Sequence, residues 1–427
     1  MLKVLTKSMS KGLSFEVVAD CGQTRARLSK LTLKSLSDGS LGRDVTIETP
    51  MFMPVGTNAT IKGLLPAQVE GTGCQLILAN TYHVGSRPGV DTVDRAGGIH
   101  ELMRWPNALL TDSGGFQMVS LSKLSEVSEN GVLFKSPYDK DSTHTVSDEM
   151  LLTPEMATQM QHKIGSNIMM QLDDVIKTTH PDEQRMETAL HRSIRWYDRC
   201  RVTHSKAVAD DKTGRHARQN LFPIIQGGLN PEFRRQSARE IVARDPVGIA
   251  IGGLSGGEAK DKFIEMVAVS TESLPANKPR YLMGVGLAID MLMCVAFGVD
   301  LFDCVYPTRT ARFGCALVGY GKEVSLRSTS MALDFTPLDS ECDCNTCVKY
   351  TRSYVHHLMR DKNTVGCHLL SEHNIRFQMR FMQKIRDAIR DGVFAEFIAD
   401  NLRYHFGDRD NYPQWISQAI SQLKLDV

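Results

Sequence analysis

The chain has 427 residues, 42% of them hydrophobic and 23% charged, and 50 lysines and arginines nearly balance 49 aspartates and glutamates to a net charge of +1. This length suits either several average domains or one large barrel, and the balanced charge excludes a general polyanion binder but not a local basic patch. Ten cysteines at uneven spacing and a start without a secretory signal predict a reduced, cytoplasmic setting. The mildly basic first residues leave a mitochondrial address open, including a peripheral place at the mitochondrial outer membrane.

Short apolar runs alternate with helix-like segments along most of the chain. Unbroken apolar runs are typical of strands that are buried on both faces. The segments Thr153-Pro154-Glu155 and Asn230-Pro231-Glu232 each combine an N-cap residue, a first-turn proline and an early acid, so each predicts a helix start. The predicted strands are residues 75–80, 108–112, 167–173, 220–226, 248–253, 280–284 and 299–303. This alternation predicts an α/β fold, either a barrel or a doubly wound sheet.

The positions of the polar residues favour the barrel. They fall at the carboxyl ends of the predicted strands, and in a barrel these ends meet on one face, which carries the active site. The residues are Asp112, Asp173, Gln226, Gly253, Met283 and Asp303. No phosphate loop and no G-x-G-x-x-G stands between a strand and a helix, so a nucleotide cofactor is not expected.

Several segments depart from the strand–helix repeat. Residues 120–147 are polar around Asn130-Gly131, which predicts a hairpin, and residues 203–219 are charged enough to predict a surface loop. The apolar stretch 281–302 is interrupted by charge and glycine, which favours strand, helix and strand over a membrane span. After about residue 335 the pattern changes. We therefore predict a barrel domain over residues 1–335 and a metal-stapled subdomain with C-terminal helices over 336–427.

Three cysteines, Cys342, Cys344 and Cys347, stand as C-x-C-x-x-C. Three thiolates and one imidazole make a closed tetrahedral Zn²⁺ site, which is structural because no position is left for a substrate. His373 is favoured as the fourth ligand because we expect it to open a helical stretch over about 373–406. Spacing alone leaves other ligands open, namely His356, His357, His368 and Cys367.

Asp112 and Asp303 are the best candidates for chemistry. Small residues follow Asp112, which lets a ligand approach the backbone, although an aspartate there could equally be a helix N-cap. Asp303 ends an apolar run, and Arg309 and Arg312 are close enough in sequence to make it a structural ion pair instead. Two aspartates on one barrel face could divide the work of glycosidic chemistry between a nucleophile and an acid/base.

Other polar residues suggest recognition of a base and of phosphates. The carboxylates of Asp173 and Asp174 could accept the ring N–H and amino groups of guanine, or could cap a helix. Gln226 adds an amide beside two glycines, which suits a base edge or a plain turn. Arg309 and Arg312 suit phosphates, or a solvated basic loop. A mechanism through the Cys304 thiol is disfavoured, because no histidine is close in sequence to activate it.

Together these motifs resemble those of the tRNA-guanine transglycosylases, in the same order and over nearly the whole chain, from about residue 15 to 407. The segments that carry the resemblance are 111–117, 226–227, 252–254, 281–286, 302–309 and 342–374. The resemblance implies a (β/α)8 TIM barrel with an inserted zinc-binding subdomain and C-terminal helices. It also implies exchange of guanine in tRNA for a modified 7-deazaguanine, without ATP.

The resemblance assigns roles residue by residue. Asp303 matches the nucleophile that attacks the ribose C1′ and holds a covalent RNA intermediate, and Asp112 matches the general acid/base. Arg309 and Arg312 match residues that hold the nucleotides around the target. The base-recognition positions are Asp173, Gln226, Gly253 and Leu254, with Phe116 and Met283 on the two faces of the base. The zinc ligands are Cys342, Cys344, Cys347 and His373.

Two positions point to the eukaryotic branch of the family. Gly256 stands where bacterial members have valine, which would open space for the cyclopentenediol of queuine, and Val175 replaces a frequent cysteine. The resemblance then implies queuine insertion at the anticodon wobble position of tRNAs with GUN anticodons. It further implies a non-catalytic paralogous partner, bound through the zinc-subdomain side, or a homodimer in its absence. Rival hypotheses are a non-catalytic tRNA-binding scaffold subunit and a hydrolase of small glycosides or nucleosides.

Overall fold

The structure, a computed structural model, describes residues 6–36, 41–115, 125–135 and 149–426. The described β-strands are, in chain order, β1 (Thr6–Met9), β2 (Leu13–Asp20), β3 (Arg27–Leu33), β4 (Val45–Thr49), β5 (Met51–Pro54), β6 (Leu76–Asn80), β7 (Ala108–Asp112), β8 (Ser125–Val127), β9 (Val132–Lys135), β10 (Glu149–Leu152), β11 (Ile168–Met170), β12 (Asn220–Phe222), β13 (Ile224–Ile225), β14 (Ile249–Ile251), β15 (Arg280–Leu282), β16 (Leu301–Cys304), β17 (Cys315–Val318) and β18 (Lys322–Ser325).

The described α-helices are Pro66–Gly71, Thr81–Val84, Val90–Arg95, Ile99–Met103, Pro154–Ile164, Glu183–Asp210, Pro231–Val242, Lys260–Glu272, Ala288–Ala296, Tyr306–Arg312, Asn345–Lys349, Arg352–Arg360, Thr364–Arg390, Phe394–Phe406 and Gln414–Leu423. Both predicted helix starts are confirmed. The Thr153 hydroxyl accepts a hydrogen bond from the Met156 amide, and Asn230 accepts bonds from the amides of Glu232 and Phe233.

The parallel strands close into a barrel. One sheet has the order β12-β11-β7-β6 and the other β13-β14-β15-β16-β5. Pro223 alone separates β12 from β13, and a parallel bridge between Val55 and Leu78 joins β5 to β6. The predicted barrel is therefore confirmed, and its strands are buried on both faces, as the fully buried side chains of Phe52, Tyr281 and Phe302 show.

One barrel strand, β5, was missing from the sequence prediction. It is four residues long, follows Pro50 and ends at Pro54. Short runs bounded by proline lack the length that distinguishes a strand from a loop. Its pairing with β16, from Met51–Leu301 to Pro54–Cys304, is what closes the barrel.

The antiparallel sheet β1-β2-β3-β4 covers one end of the barrel, the end where the parallel strands begin. Arg27 on β3 reaches Asp300, just before β16, and Asn167 just before β11 donates to the Lys34 carbonyl. These contacts lie at the amino ends of the barrel strands. The carboxyl ends are consequently the free mouth of the barrel.

Three local predictions are settled by the described residues. Stretch 281–302 is strand, helix and strand, and β8 and β9 form an antiparallel hairpin around Asn130-Gly131. The loop predicted over 203–219 was wrong in its first part, because the helix Glu183–Asp210 runs on until Asp211 and Gly214 interrupt it. Within the described part of the chain, no helix is long and apolar enough to cross a membrane.

The C-terminal region has a small hydrophobic cluster of its own. It contains Leu338, Val355 and Leu370 together with Ala316 and Leu326, which precede residue 336. The long helix Thr364–Arg390 supplies residues both to this cluster and to the main core. The domain limit at residue 335 stays a prediction.

Candidate active site and metal centre

Asp112 ends β7 and is partly buried in the barrel mouth. Its Oδ2 accepts a hydrogen bond of 2.7 Å from the Asn80 amide, and its Oδ1 accepts weaker bonds of 3.3 Å from the backbone N–H groups of Thr81 and Gly114. Among the described residues no cation pairs with it. Burial raises the pKa of Asp112 to about 7, and the Asp303 carboxylate adds to the rise. The alternative of a helix N-cap concerns the residues that follow Asp112, and those beyond Gly115 lie outside the described residues.

Asp303 lies on β16, separated from β7 around the barrel by β5 and β6. Its Oδ1 accepts bonds from the Tyr281 hydroxyl at 2.6 Å and from the Gly284 N–H at 2.8 Å. Burial raises its pKa. Both bonds go to Oδ1, and no described residue donates to Oδ2, so one carboxylate oxygen is held in place and the other faces the mouth.

The alternative of a structural ion pair for Asp303 was wrong among the described residues. Arg309 and Arg312 are exposed on the helix Tyr306–Arg312, and Arg312 donates to the Thr308 carbonyl of its own helix. The neighbouring Cys304 is also no nucleophile at neutral pH, because burial raises the pKa of its thiol to about 11.

The Asp173 carboxylate and the Gln226 amide form the candidate base-reading edge. Asp173 is buried, and its Oδ2 accepts a 2.6 Å bond from Gln226 Nε2. Burial raises the pKa of Asp173 to about 7, and the neighbouring Asp174 charge adds to it. Asp174 itself is bound by Arg185 and Arg192, so the two adjacent acids have different environments. Neither of them caps the next helix, because Asp182 does.

Gly253 follows β14 and must be a glycine for two reasons. Its φ is +66°, and a Cβ at this position would lie 2.4 Å from Gln226 Oε1. Behind it, the fully buried Arg234 donates to the carbonyls of Gly228, Gly252 and Gly253 at 2.9, 2.9 and 3.1 Å. One guanidinium therefore fixes the two loops on either side of Gln226.

The remaining base-site residues fall around the same mouth. Met283 directly follows β15 and is half-buried, and Leu254 is buried. A Cβ on Gly256 would lie 2.4 Å from the Thr178 hydroxyl, so Thr178 occupies the space next to Gly256. Phe116 lies outside the described residues.

Three supporting residues escaped the sequence analysis as site residues. Tyr281 and Asn80 bond the two aspartates directly, and Arg234 holds the glycine loops. A partial signal existed for Tyr281, because a tyrosine within a fully buried strand must find a partner for its hydroxyl. Nothing in the local sequence distinguishes the buried Arg234 from the exposed Arg239 of the same helix.

The four predicted metal ligands come together. The Sγ atoms of Cys342, Cys344 and Cys347 and a ring nitrogen of His373 all lie within 4.8 Å of one another. Cys347 Sγ is 3.3 Å from His373 Nδ1, and His373 Nε2 lies 2.8 Å from the Leu317 carbonyl. Nε2–H donates to that carbonyl and leaves Nδ1 to face the thiols, the arrangement of a metal-bound histidine. The buried cluster could therefore hold a metal ion.

The competing ligands are set aside by this grouping. In the described ranges, His356, His357, His368 and Cys367 belong to no such cluster. His356 instead contacts the Leu326 carbonyl at 2.7 Å. The expected place of His373 at a helix start was wrong, because the helix Thr364–Arg390 begins nine residues earlier, capped by Asn363. His373 lies mid-helix, where its backbone is fixed on both sides.

Comparison with known proteins agrees with this site. A family model described as "Queuine tRNA-ribosyltransferase" matches residues 21–407. The chain is 47% identical over 395 residues to the "Queuine tRNA-ribosyltransferase catalytic subunit" of Caenorhabditis elegans, covering 89% of this chain and 94% of that protein. It is 46% identical over 423 residues to the Schizosaccharomyces pombe protein of that name, covering 97% and 98%. A Moorella thermoacetica "Queuine tRNA-ribosyltransferase" is 43% identical over 396 residues, covering 92% and 99%. The chain belongs to the queuine tRNA-ribosyltransferase family.

Proposed function

We propose that this chain exchanges guanine for queuine at the wobble position of tRNAs with GUN anticodons, through a covalent RNA intermediate on Asp303. The observation that carries the proposal is the pair of carboxylates without cations, Asp112 and Asp303, in one barrel mouth. The Asp173–Gln226 edge stands in the same mouth. Family membership supports the reaction class.

In the first half-reaction, Asp303 Oδ2 attacks the ribose C1′ while the bond from C1′ to the guanine nitrogen breaks. The electron pair of that bond goes to guanine, and protonated Asp112 supplies the proton that the leaving base needs. A pKa of about 7 suits this role, because an acid works best when its pKa is near the working pH. Tyr281 and Gly284 hold Oδ1, which orients the attacking oxygen.

In the second half-reaction, the ionised Asp112 removes the N–H proton of the incoming base, whose nitrogen attacks C1′. The bond from C1′ to Asp303 breaks, and the carboxylate is restored. Two displacements return the original configuration at C1′. No external energy source is consumed, since one glycosidic bond replaces another.

Recognition of the base rests on the buried edge. Guanine presents neighbouring ring N–H and amino donors, which the Asp173 carboxylate can accept, and the Gln226 amide holds that carboxylate in place. Met283 and Phe116 would lie on the two faces of the base, as the family resemblance implies. The target must leave its stack in the anticodon loop, which costs a few kcal/mol. We expect Arg309 and Arg312 to contact the nucleotides around it, and their exposure supports this role.

We propose that the Cys342–Cys344–Cys347–His373 cluster holds Zn²⁺. Three thiols and an imidazole are ligands that zinc prefers, and they complete a tetrahedral shell without an open position. The ion would staple the small hydrophobic cluster to the helix Thr364–Arg390. The chemistry in the barrel mouth uses none of these residues.

A partner subunit is part of the proposal. The relatives in Caenorhabditis elegans and Schizosaccharomyces pombe are named catalytic subunits. We expect a non-catalytic paralogous subunit to bind on the zinc side, with a homodimer in its absence. The apolar side chains of Leu333, Phe335 and Val348 are exposed in that region, at 82%, 69% and 70%. Their exposure supports a protein contact there.

The test of function is exchange of radiolabelled guanine into unmodified tRNA by the purified chain, with and without the partner, followed by chase with queuine. We expect label to enter and queuine to remove it. Tight tRNA binding without exchange would favour the scaffold hypothesis. Turnover of free nucleosides without tRNA would favour the hydrolase.

The choice of queuine over a smaller base has its own test at Gly256. A valine there would meet Thr178 as well as any bulky group on the base, so two effects must be separated. We expect Gly256→Val to weaken queuine use and spare guanine exchange, and the double variant with Thr178→Ala to keep that selectivity. Recovery of queuine use in the double variant would mean that the clash with Thr178, and not the pocket, caused the defect.

A further inference from the structure

An exposed aromatic side chain follows the helix that comes after the Asp303 strand, outside the machinery described so far. Phe313 is 69% exposed and directly follows the helix Tyr306–Arg312. That helix begins two residues after β16, the strand that carries Asp303. Its seven residues span about 10 Å. Phe313 therefore follows Asp303 by ten residues along the chain, a span that a few nucleotides of a bound RNA can cover.

Three exposed arginines accompany Phe313, since Arg309 and Arg312 precede it in the chain and Arg327 contacts it. The four residues Arg309, Arg312, Phe313 and Arg327 are called the Phe313 patch. Arg327 Nε donates to the Phe313 carbonyl at 3.1 Å, which ties the hairpin β17–β18 region to the end of the helix. Among the described residues, none of the three arginines forms an ion pair.

The lack of carboxylates separates this patch from other basic surfaces of the chain. On the helix Glu183–Asp210, the arginines at 185, 192, 195 and 199 all bind Asp174, Glu129 or Glu155. A single exposed phenylalanine needs no explanation. An exposed phenylalanine among three uncompensated guanidiniums matches a single-stranded nucleic acid, which offers base faces for stacking and phosphates for the cations.

We propose that Phe313 stacks on an unpaired anticodon-loop nucleotide next to the target and that Arg327 holds a phosphate of the same segment. This inference rests on the proposed function and adds a contact site to it. The charge of the Phe313 patch favours RNA over a protein as the bound partner. A protein would have to supply carboxylates to three arginines, whereas an RNA segment brings a phosphate with every nucleotide.

The test uses the full chain and an anticodon stem-loop RNA with 2-aminopurine on either side of the target guanine, because stacking quenches its fluorescence. We expect wild type to quench one of the two probes. Phe313→Ala should lose that quenching and weaken RNA binding about tenfold. Phe313→Trp should restore both, and Phe313→Leu, which keeps an apolar side chain without a π-face, should restore neither.

Arg327→Gln tests the phosphate contact. It should weaken binding to every RNA sequence alike and lower the slope of log affinity against log salt by about one. Met9→Ala is the matched control, because Met9 is 70% exposed but lies on β1, in the sheet that covers the opposite end of the barrel. It should leave quenching and RNA affinity unchanged.

Unchanged quenching and affinity in Phe313→Ala would overturn the inference. So would a loss of subunit association, measured by sedimentation, with RNA binding intact, because Phe313 would then be a protein contact. The fluorescence reports binding and not catalysis, so absence of guanine exchange by wild type would count against the proposed function alone. Thermal melting of each variant confirms that it is folded.

Discussion

Asp300 and Asp303 lie three residues apart at the two ends of β16, and their surroundings are opposite. Asp300, at the amino end, is fully buried and binds the Arg27 guanidinium and the Arg280 N–H. Asp303, at the carboxyl end, is held by a neutral hydroxyl and an N–H, and burial raises its pKa. A buried charge with a cation is a structural element, whereas one without a cation stays reactive. Along β16, the carboxylate at the amino end therefore stabilises the fold, and the one near the carboxyl end is available for the reaction.

The same contrast recurs between neighbours at the end of β11. Asp174 is neutralised by two arginines, whereas among the described residues Asp173 binds the Gln226 amide and no cation. Asp112 completes the set of carboxylates without cations in the mouth. Removing a carboxylate from the mouth should therefore cost activity, and removing one from an ion pair should cost stability.

The largest expected effect follows from Asp303→Ala. Without the nucleophile, guanine exchange should fall by at least about 10⁴-fold, while the unfolding midpoint moves little because no ion pair is broken. Single-turnover exchange and urea unfolding measure the two quantities. Residual exchange within tenfold of wild type would break the contrast with Asp300.

At the Cys342–Cys344–Cys347–His373 cluster, the contrast extends to thiols that the proposed Zn²⁺ would neutralise. Cys344→Ser should release the bound metal and lower the free energy of unfolding by about 4 kcal/mol or more, since loss of a metal is one of the few causes of changes that large. Metal content by mass spectrometry and urea unfolding test this. Cys367→Ser, a half-buried cysteine outside the cluster, is the control. Full metal content in Cys344→Ser would contradict the assignment.

Asp300→Asn should lower stability and spare activity, the reverse of what we expect for Asp303→Ala. It leaves the buried Arg27 guanidinium without its partner, which costs about 3–4 kcal/mol of stability, while exchange per folded molecule stays near wild type. Denaturant unfolding and active-site titration measure both. For comparison, Asp44→Asn removes an exposed pair with Lys34 and should cost less than about 1 kcal/mol. Equal losses in the two variants would remove the basis for calling Asp300 structural.

The smallest expected effect is a gain of stability in Asp173→Asn. The folded-state pKa of about 7 exceeds the unfolded value of about 3.9, so Asp173 opposes folding increasingly as the pH rises between these values. The variant should lose base binding yet gain on the order of 2 kcal/mol at pH 8 and much less at pH 5. Unfolding at both pH values tests the sign. Asp174→Asn should be destabilised at both, because Arg185 and Arg192 lose the buried carboxylate that they share.

The sequence alone predicted those site residues whose role depends on residue type and on position along a strand. Asp112, Asp173 and Asp303 could be placed in the mouth because each ends an apolar run, and Cys342, Cys344 and Cys347 are close in sequence. Contacts between distant segments could not be predicted. Tyr281 and Arg234 gain their roles from strands and loops that meet only in the fold, and His373 proved to lie inside a helix whose start is set by Asn363.

Competition between local and tertiary signals explains the other differences. β5 is too short to stand out, and it forms because β16 and β6 offer pairing partners on both sides. The contact of Gly256 with Thr178 joins the loops after β14 and β11. The sequence predicted open space beside Gly256, whereas the structure packs Thr178 closely against it.

Trapping the covalent intermediate tests most directly whether Asp303 is the nucleophile. The chain is incubated with tRNA without free base, quenched under denaturing conditions and digested, and the RNA-linked peptide is sequenced by mass spectrometry. We predict a nucleotide bonded to Asp303 in wild type and no RNA-linked peptide in Asp303→Ala. An adduct that persists in that variant, or one that maps to Cys304 or another residue, would contradict this prediction.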